Sequence, residues 1–347
     1  MTNKKVLYTN LLSLVPICHT SDKSYLDALK TAFGKFVSFV EQTDDSEFTK
    51  GKASILSEVN KMYANIELAI TYTYKGDHSS AFNAVDKALY DKGICFREFQ
   101  SGKDYDFYRM RTVEEGKLFQ RKELFHIPFS KRGLVSTQRY SMPGLPCLYL
   151  GFSLHACWEE MHRKPISNFA FSRFHLQKNM KVMSLDFPDY SRWCQDFEKI
   201  ILLFPMIMAC MVAVDNYKNP FKSEYIIPQL LMEWITTHPN TDVDGICYTS
   251  VHLDKQFEFP LSTFSNIALP ATDFEGSDYS KRLQEMFLLT EATTEEVERV
   301  KIGSFISMYE VPENDDTDAV LRENYRSSLF GMLEGIIAGH KLGKFED

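Results

Sequence analysis

Near residue 103 the spacing of apolar side chains changes period, and that change limits what this chain can fold into. Before it, apolar residues recur every three or four positions: Leu26, Leu29, Phe33, Phe36, Val37 and Val40, then Ile55, Val59, Met62, Ile66 and Ile70. After Gly76-Asp77 the pattern resumes with Ala81, Phe82, Val85 and Leu89. Each run places an apolar stripe on one face of a helix, and Ser21 and Asp22 are expected to cap the first. Beyond residue 103, short β-rich runs alternate with turn residues: Phe107–Arg109, Cys147–Phe152, Lys181–Leu185, Gly245–Ser250 and Asn266–Leu269. Helical stretches lie around Ala156–His162, Phe197–Val214 and Pro228–Thr236, with helical patterns at 278–301 and a last helix over Asp318–His340. The acidic run Glu310–Asp318 reads as an exposed linker. This mixed order, without regular crossovers, predicts an α+β fold and not a doubly wound sheet. The expected division is a helical N-terminal region over 1–102, a mixed-sheet core over 103–275 and a helical C-terminal extension over 276–347.

Charge narrows the function classes. The net charge is −8 and no basic stripe runs along the chain, which argues against a duplex nucleic-acid partner. A few positioned arginines still suffice for a small anionic ligand. The seven cysteines, Cys18, Cys95, Cys147, Cys157, Cys194, Cys210 and Cys247, are odd in number and show no CxxC spacing. They read as free thiols in a reducing compartment. The most apolar run, Ile200–Val214, carries Pro205 and is too short for a membrane span. Tyr8, Thr9 and Asn10 interrupt the apolar N-terminal stretch, and no small-residue cleavage site follows. The expectation is a cytoplasmic protein with no membrane partner.

Several motifs are weighed and set aside. Neither G-x-G-x-x-G nor G-x-x-x-x-G-K-[ST] occurs, so neither Rossmann nor P-loop phosphate binding is supported. Gly151-Phe152-Ser153-Leu154-His155 has His where a nucleophile elbow needs a second glycine. His155, Glu159 and His162 fall near one helix face but lack the HExxH spacing of a zinc site; ordinary polar-face residues are the better account.

Three separated segments remain, each with polar residues where a buried strand end is normally apolar. They are Asp106-Phe107-Tyr108-Arg109-Met110-Arg111; Arg139-Tyr140 followed by Gly144-Leu145-Pro146-Cys147-Leu148-Tyr149-Leu150-Gly151 and Ser153–Glu159; and Asp244-Gly245-Ile246-Cys247-Tyr248-Thr249-Ser250. In order and approximate spacing they resemble the RES-domain family, named for an arginine, a glutamate and a serine. Asn266–Pro270 resembles the strand that follows the serine in that family. The resemblance implies an ADP-ribosyltransferase-like fold and a pocket for NAD⁺, which is substrate and not a retained cofactor. It implies Arg109 and Glu159 as catalytic residues and Arg139, Tyr149 and Ser250 as substrate-binding residues; Tyr140 is the substitute substrate-binding candidate for Tyr149. It also implies an NAD⁺-consuming activity, glycohydrolase or phosphorylase, of the toxin and antitoxin kind. A protein inhibitor would then be a partner; homo-oligomerisation is left open.

The chemistry asks for these residue types. Breaking the nicotinamide–ribose bond develops positive charge on the ribose. A carboxylate beside it, Glu159, stabilises that charge. A guanidinium holds a dianionic pyrophosphate bidentately, the role of Arg109 aided by Arg139. Tyr149 offers an aromatic face to nicotinamide, and Ser250 a hydroxyl to a ribose or phosphate oxygen. No step requires a metal. Each residue has a plainer reading beside this one. Arg111 competes with Arg109, Glu159 could be a solvated helix residue beside Glu160, Ser250 could cap a turn, and Tyr149 could be core, leaving Tyr140 in its place. Cys157 and Trp158 stand where the family prefers small residues, and the charged loop Gly116–Lys122 is extra. Two other functions stay open: transfer of ADP-ribose to a macromolecule, and non-catalytic binding by a retained fold.

Overall fold

The computed structural model describes residues 3–19, 24–43, 51–90, 95–113, 119–238, 242–253, 258–274, 276–295, 297–298 and 317–346. Along the chain run helices α1 (Asn3–Leu14), α2 (Tyr25–Gln42), α3 (Lys52–Tyr74) and α4 (His78–Tyr90), then strands β1 (Phe96–Phe99), β2 (Asp106–Thr112) and β3 (Cys147–Gly151). Next come α5 (Leu154–Glu160), β4 (Phe169–Leu176), β5 (Met180–Leu185), α6 (Tyr190–Gln195), α7 (Phe197–Cys210), α8 (Ile226–Thr237), β6 (Gly245–Thr249) and β7 (Ser265–Pro270). The chain continues with α9 (Lys281–Met286), β8 (Phe287–Leu289), β9 (Thr293–Thr294), α10 (Thr317–Arg326) and α11 (Leu329–Ala338). This is the expected α+β class, a mixed sheet with a helical N-terminal region. No described helix is long and apolar enough to cross a membrane.

The chain divides into two units. One takes in Met1–Arg97, Ser136–Pro143 and Met183–His252; the other takes in Glu98–Val135, Gly144–Val182 and Leu253–Asp347. The first unit is built on the predicted helical stripes. In α2 the buried residues are Tyr25, Ala28, Leu29, Ala32, Phe33, Phe36 and Val40, and in α3 Ile55, Val59, Met62, Tyr63, Ile66, Ala69 and Ile70. Phe33 stacks on Tyr63 with ring centroids 3.8 Å apart, and Phe36 meets Phe204 of α7 at 5.0 Å. The cap of α2 is Ser24, whose Oγ accepts from Asp27 N at 3.1 Å; Ser21 and Asp22 lie outside the described residues. Pro205 sits inside α7, which is buried almost all round.

In the second unit the strands lie in the order β7–β3–β2–β4–β8, with β9 also on β4. Each of these pairings is antiparallel. One face of β2 and β4, with Tyr108, Met110, Phe169 and Phe171, packs against Leu154 and Cys157 of α5 and Leu333 and Ile337 of α11. Strand β3 reaches α5 through a sharp turn at Gly151. A side chain there would place Cβ 2.7 Å from Ser153 O and 2.8 Å from Cys157 Sγ.

Three expectations need correction. Strand β4 has no counterpart in the sequence reading, because Phe169–Leu176 is buried almost throughout and so lacks the two-residue alternation that marks a half-exposed strand. The helical pattern at 278–301 is broken in the middle: a helix runs over Lys281–Met286 and residues 295 and 297–298 are helical again, but between them Phe287–Leu289 and Thr293–Thr294 pair with β4, where sheet pairing overrides local propensity. The single last helix is two. Ser328 Oγ accepts from Gly331 N at 3.2 Å and starts α11 afresh, and Gly331 lies too close to the Tyr325 carbonyl and Arg326 for any side chain. The linker expected over Glu310–Asp318 falls largely outside the described residues, as do residues 116–118 of the loop at Gly116–Lys122, whose end enters a 3-10 helix over Arg121–Leu124.

Gly151→Ala tests the turn. The added methyl meets backbone on one side and a buried sulfur on the other, so the variant should lose about 1–3 kcal/mol, read as a lower urea midpoint at unchanged slope.

Candidate active site

Strands β2 and β3 share a single registered pair, Tyr108 opposite Gly151. Beyond it β2 pairs with β4 along its whole length, and β3 pairs with β7. The two strands therefore part, and a fork opens between Arg109 and Tyr149. Arg109 bridges it: its Nη1 donates to Tyr149 O at 2.8 Å, a side chain taking the place of a ladder bond. Burial, with the charge of nearby Arg111, pushes the Arg109 guanidinium down to about 10, so it stays charged at neutral pH. Its Nε is buried and without a hydrogen-bond partner among the described residues, so the protein does not saturate this guanidinium.

Strand alternation sorts the neighbours. Directly opposed residues share a face, so Gly151 and, two residues back, Tyr149 lie on the Tyr108 face, which α5 covers. Leu148 and Leu150 point into the core on the other face, and Tyr149 is half-buried. Arg109 leaves its strand on the face away from α5, the face of Phe107. It comes level with Tyr149 only through the fork.

Helix α5 starts at Ser153, whose Oγ accepts from Ala156 N at 2.9 Å and donates to Thr263 O at 2.6 Å. It ends in two residues of left-handed backbone, His162 at φ 59° and Arg163 at φ 52°. That reversal folds Arg163 back onto the helix, where its Nε donates to Glu159 Oε2 at 2.8 Å. Glu159 is 1% exposed, with His155 Nε2 3.4 Å from its other oxygen. The adjacent Glu160 is half-buried, and its Oε1 accepts from Asn266 Nδ2 at 3.1 Å. Asn266 is a buried strand residue directly opposite Gly151. The sequence reading passed over this second carboxylate. The available signal was Asn266 itself, an amide inside an apolar strand, which demands a partner.

The other expected residues belong to the first unit. Arg139 is buried; its Nη1 donates to Cys210 O at 3.0 Å and its Nη2 to Val212 O at 2.9 Å, at the C-terminal end of α7. Its guanidinium also lies 5.1 Å from the centre of the Tyr225 ring. Tyr140 is fully buried, 4.4 Å from Tyr248 between ring centroids, and burial holds its phenol well above the usual range. Ser250, just past β6, is fully buried and its Oγ accepts from His252 N at 3.1 Å. The structure thus gathers Arg109, Tyr149 and α5 about the fork in one unit, and Arg139, Tyr140 and Ser250 in the other. No cluster of metal-ligating side chains occurs among the described residues.

The elements about the fork fall in a stretch that matches a known family, the RES domain, over residues 108–279. This chain carries a RES domain. All six expected site residues lie inside it. The chain is also 34% identical to YopC of Bacillus subtilis (strain 168), a protein named as a candidate toxin. That match runs over 200 residues and covers 53% of this chain and 45% of YopC, so it spans less than half of that protein. No solved structure matches the chain.

The Glu159–Arg163 pair of the RES domain can be tested directly. Removing Arg163 leaves a buried carboxylate short of its closest cation. Arg163→Ala should cost about 1–2 kcal/mol, less than a fully buried pair because the arginine is partly exposed. Denaturant unfolding of the variant beside Glu159→Gln and the double variant would give the coupling; additive losses would mean that the pair contributes nothing.

Proposed function

We propose that this RES domain binds NAD⁺ and cleaves its nicotinamide–ribose bond. The observation that carries the reading is the fork between β2 and β3. It holds an unsaturated, charged guanidinium against the Tyr149 carbonyl, where β2 leaves β3, while α5, which ends in two carboxylates, covers the other face of β2 and starts at the closed end of the fork. In this reading Arg109 takes the pyrophosphate and the Tyr149 ring lies against nicotinamide. A carboxylate of α5 stabilises the cationic ribose as the bond to nicotinamide breaks. Water or phosphate then adds to the anomeric carbon. Glu159 is the carboxylate the family resemblance points to, and Arg163 pairs with it. Glu160 is the one with more access to solvent, steadied by Asn266. Arg139 acts at one remove, tying the end of α7 to the segment that bears Tyr140. The toxin name of YopC supports a cellular role in growth arrest by NAD⁺ depletion, with a protein inhibitor as partner.

The test is NAD⁺ turnover by the purified chain, with and without phosphate, followed by identification of the ribose product. Arg109→Ala should lower kcat/KM by about 10–100-fold, the loss of a charge-assisted contact. Glu159→Gln or Glu160→Gln should lower kcat by about 100–1,000-fold, and the variant that does so names the acting carboxylate. Nicotinamide release that neither change affects would refute the assignment. Labelled ADP-ribose on a macromolecule would make the reaction a transfer.

A further inference from the structure

Helix α11 lies outside the RES match, yet it puts a carboxyl group on the first turn of α5. Glu334 Oε1 accepts from the backbone N–H of Leu154 at 2.6 Å and from the hydroxyl of Tyr325 on α10. The opening N–H groups of a helix have no acceptor within it. In α5, Ser153 satisfies that of Ala156, and Glu334 satisfies that of Leu154. The same helix supplies Leu333 and Ile337 to the layer beneath Leu154 and Cys157. It also places Phe330 5.2 Å from the His155 ring and 5.3 Å from that of Trp158.

We propose that Glu334 is a positioning residue: it pins the first turn of α5 and so sets where Glu159 and Glu160 stand at the other end. The proposal rests on the reading that a carboxylate of α5 acts on NAD⁺. The mechanics follow from length. From Leu154 to the two glutamates the helix rises only about 8–9 Å, so a tilt of about ten degrees at the pinned end moves them by over 1 Å. A displacement of that size can cost about 100-fold in rate.

Burial pushes the Glu334 carboxyl up to about 8, against the lowering effect of its two donors and with Asp106 adding to the rise. Tyr108 of β2 and Cys157 of α5 also face it, as Tyr325 does from α10. The group is therefore protonated at neutral pH, and glutamine, equal in charge and shape, keeps an oxygen for both donors. A side chain without an acceptor leaves the Leu154 N–H buried and unpaired.

The experiment measures the full-length wild type, E334Q, E334A and Y325F by NAD⁺ kinetics and by amide hydrogen exchange over residues 154–160. Expected for E334A are a kcat about 10–100-fold lower, a KM within about twofold, and faster exchange in α5 than in β3 or β4. E334Q should match the wild type within about threefold in kcat and show native exchange, and Y325F should fall between. Should E334A fail to fold, the contrast between Y325F and E334Q carries the same decision. Wild-type kcat and exchange in the variants without an acceptor or donor, or an equal loss in E334Q, would overturn the proposal. A wild type with no NAD⁺ turnover would refute the NAD⁺ reading alone, since the exchange data still show whether Glu334 fixes α5.

Discussion

The close approach of α5 to the end of β3 is the constraint on which the candidate site depends. It exists because Gly151 has no side chain. A Cβ there would meet the Ser153 carbonyl and the Cys157 sulfur at under 3 Å. Gly151 is also the residue that pairs with Tyr108, the one registered point of contact between β2 and β3. Strand pairing, fork and helix start are thus fixed at one position. Arg109 can enter the sheet only because the strands separate there, and its Nη1 bonds across the gap to the Tyr149 carbonyl.

The C-terminal helices belong to this arrangement. Leu333 and Ile337 complete the apolar layer over Tyr108, Met110, Phe169 and Phe171, and Glu334 meets the first turn of α5. Residues outside the family match therefore support residues inside it. A short helix such as α5, seven residues long, gains little from its own hydrogen bonds. Its placement comes from what packs on it: the strands below, the Ser153 cap, and α11.

Two adjacent glutamates in α5 have opposite surroundings. Glu159 is enclosed with His155 and Arg163, and Glu160 reaches Asn266 on β7. Successive helix positions are about 100° apart, so neighbours in sequence look in different directions. Such a pair cannot be sorted by sequence position; the left-handed residues at the helix end decide it, by returning Arg163 to Glu159.

By itself, the order of residues determined the α+β class, the three N-terminal helical stripes, five of the strands and the RES resemblance, because each rests on local periodicity or on a motif within one segment. Arg109, Tyr149 and Glu159 stood out as candidates in this way. The fork was not, since it depends on where two strands distant in sequence cease to pair. Strand β4 was hidden by burial on both faces, and the break between α10 and α11 by a glycine that reads as ordinary until its neighbours are known. Which of the two carboxylates is enclosed, that Arg139 spends its donors on the end of α7, and that Glu334 crosses to α5 were settled only by the tertiary structure. Each is a contact between groups far apart along the chain, and no local pattern encodes the direction in which a side chain will find its partner.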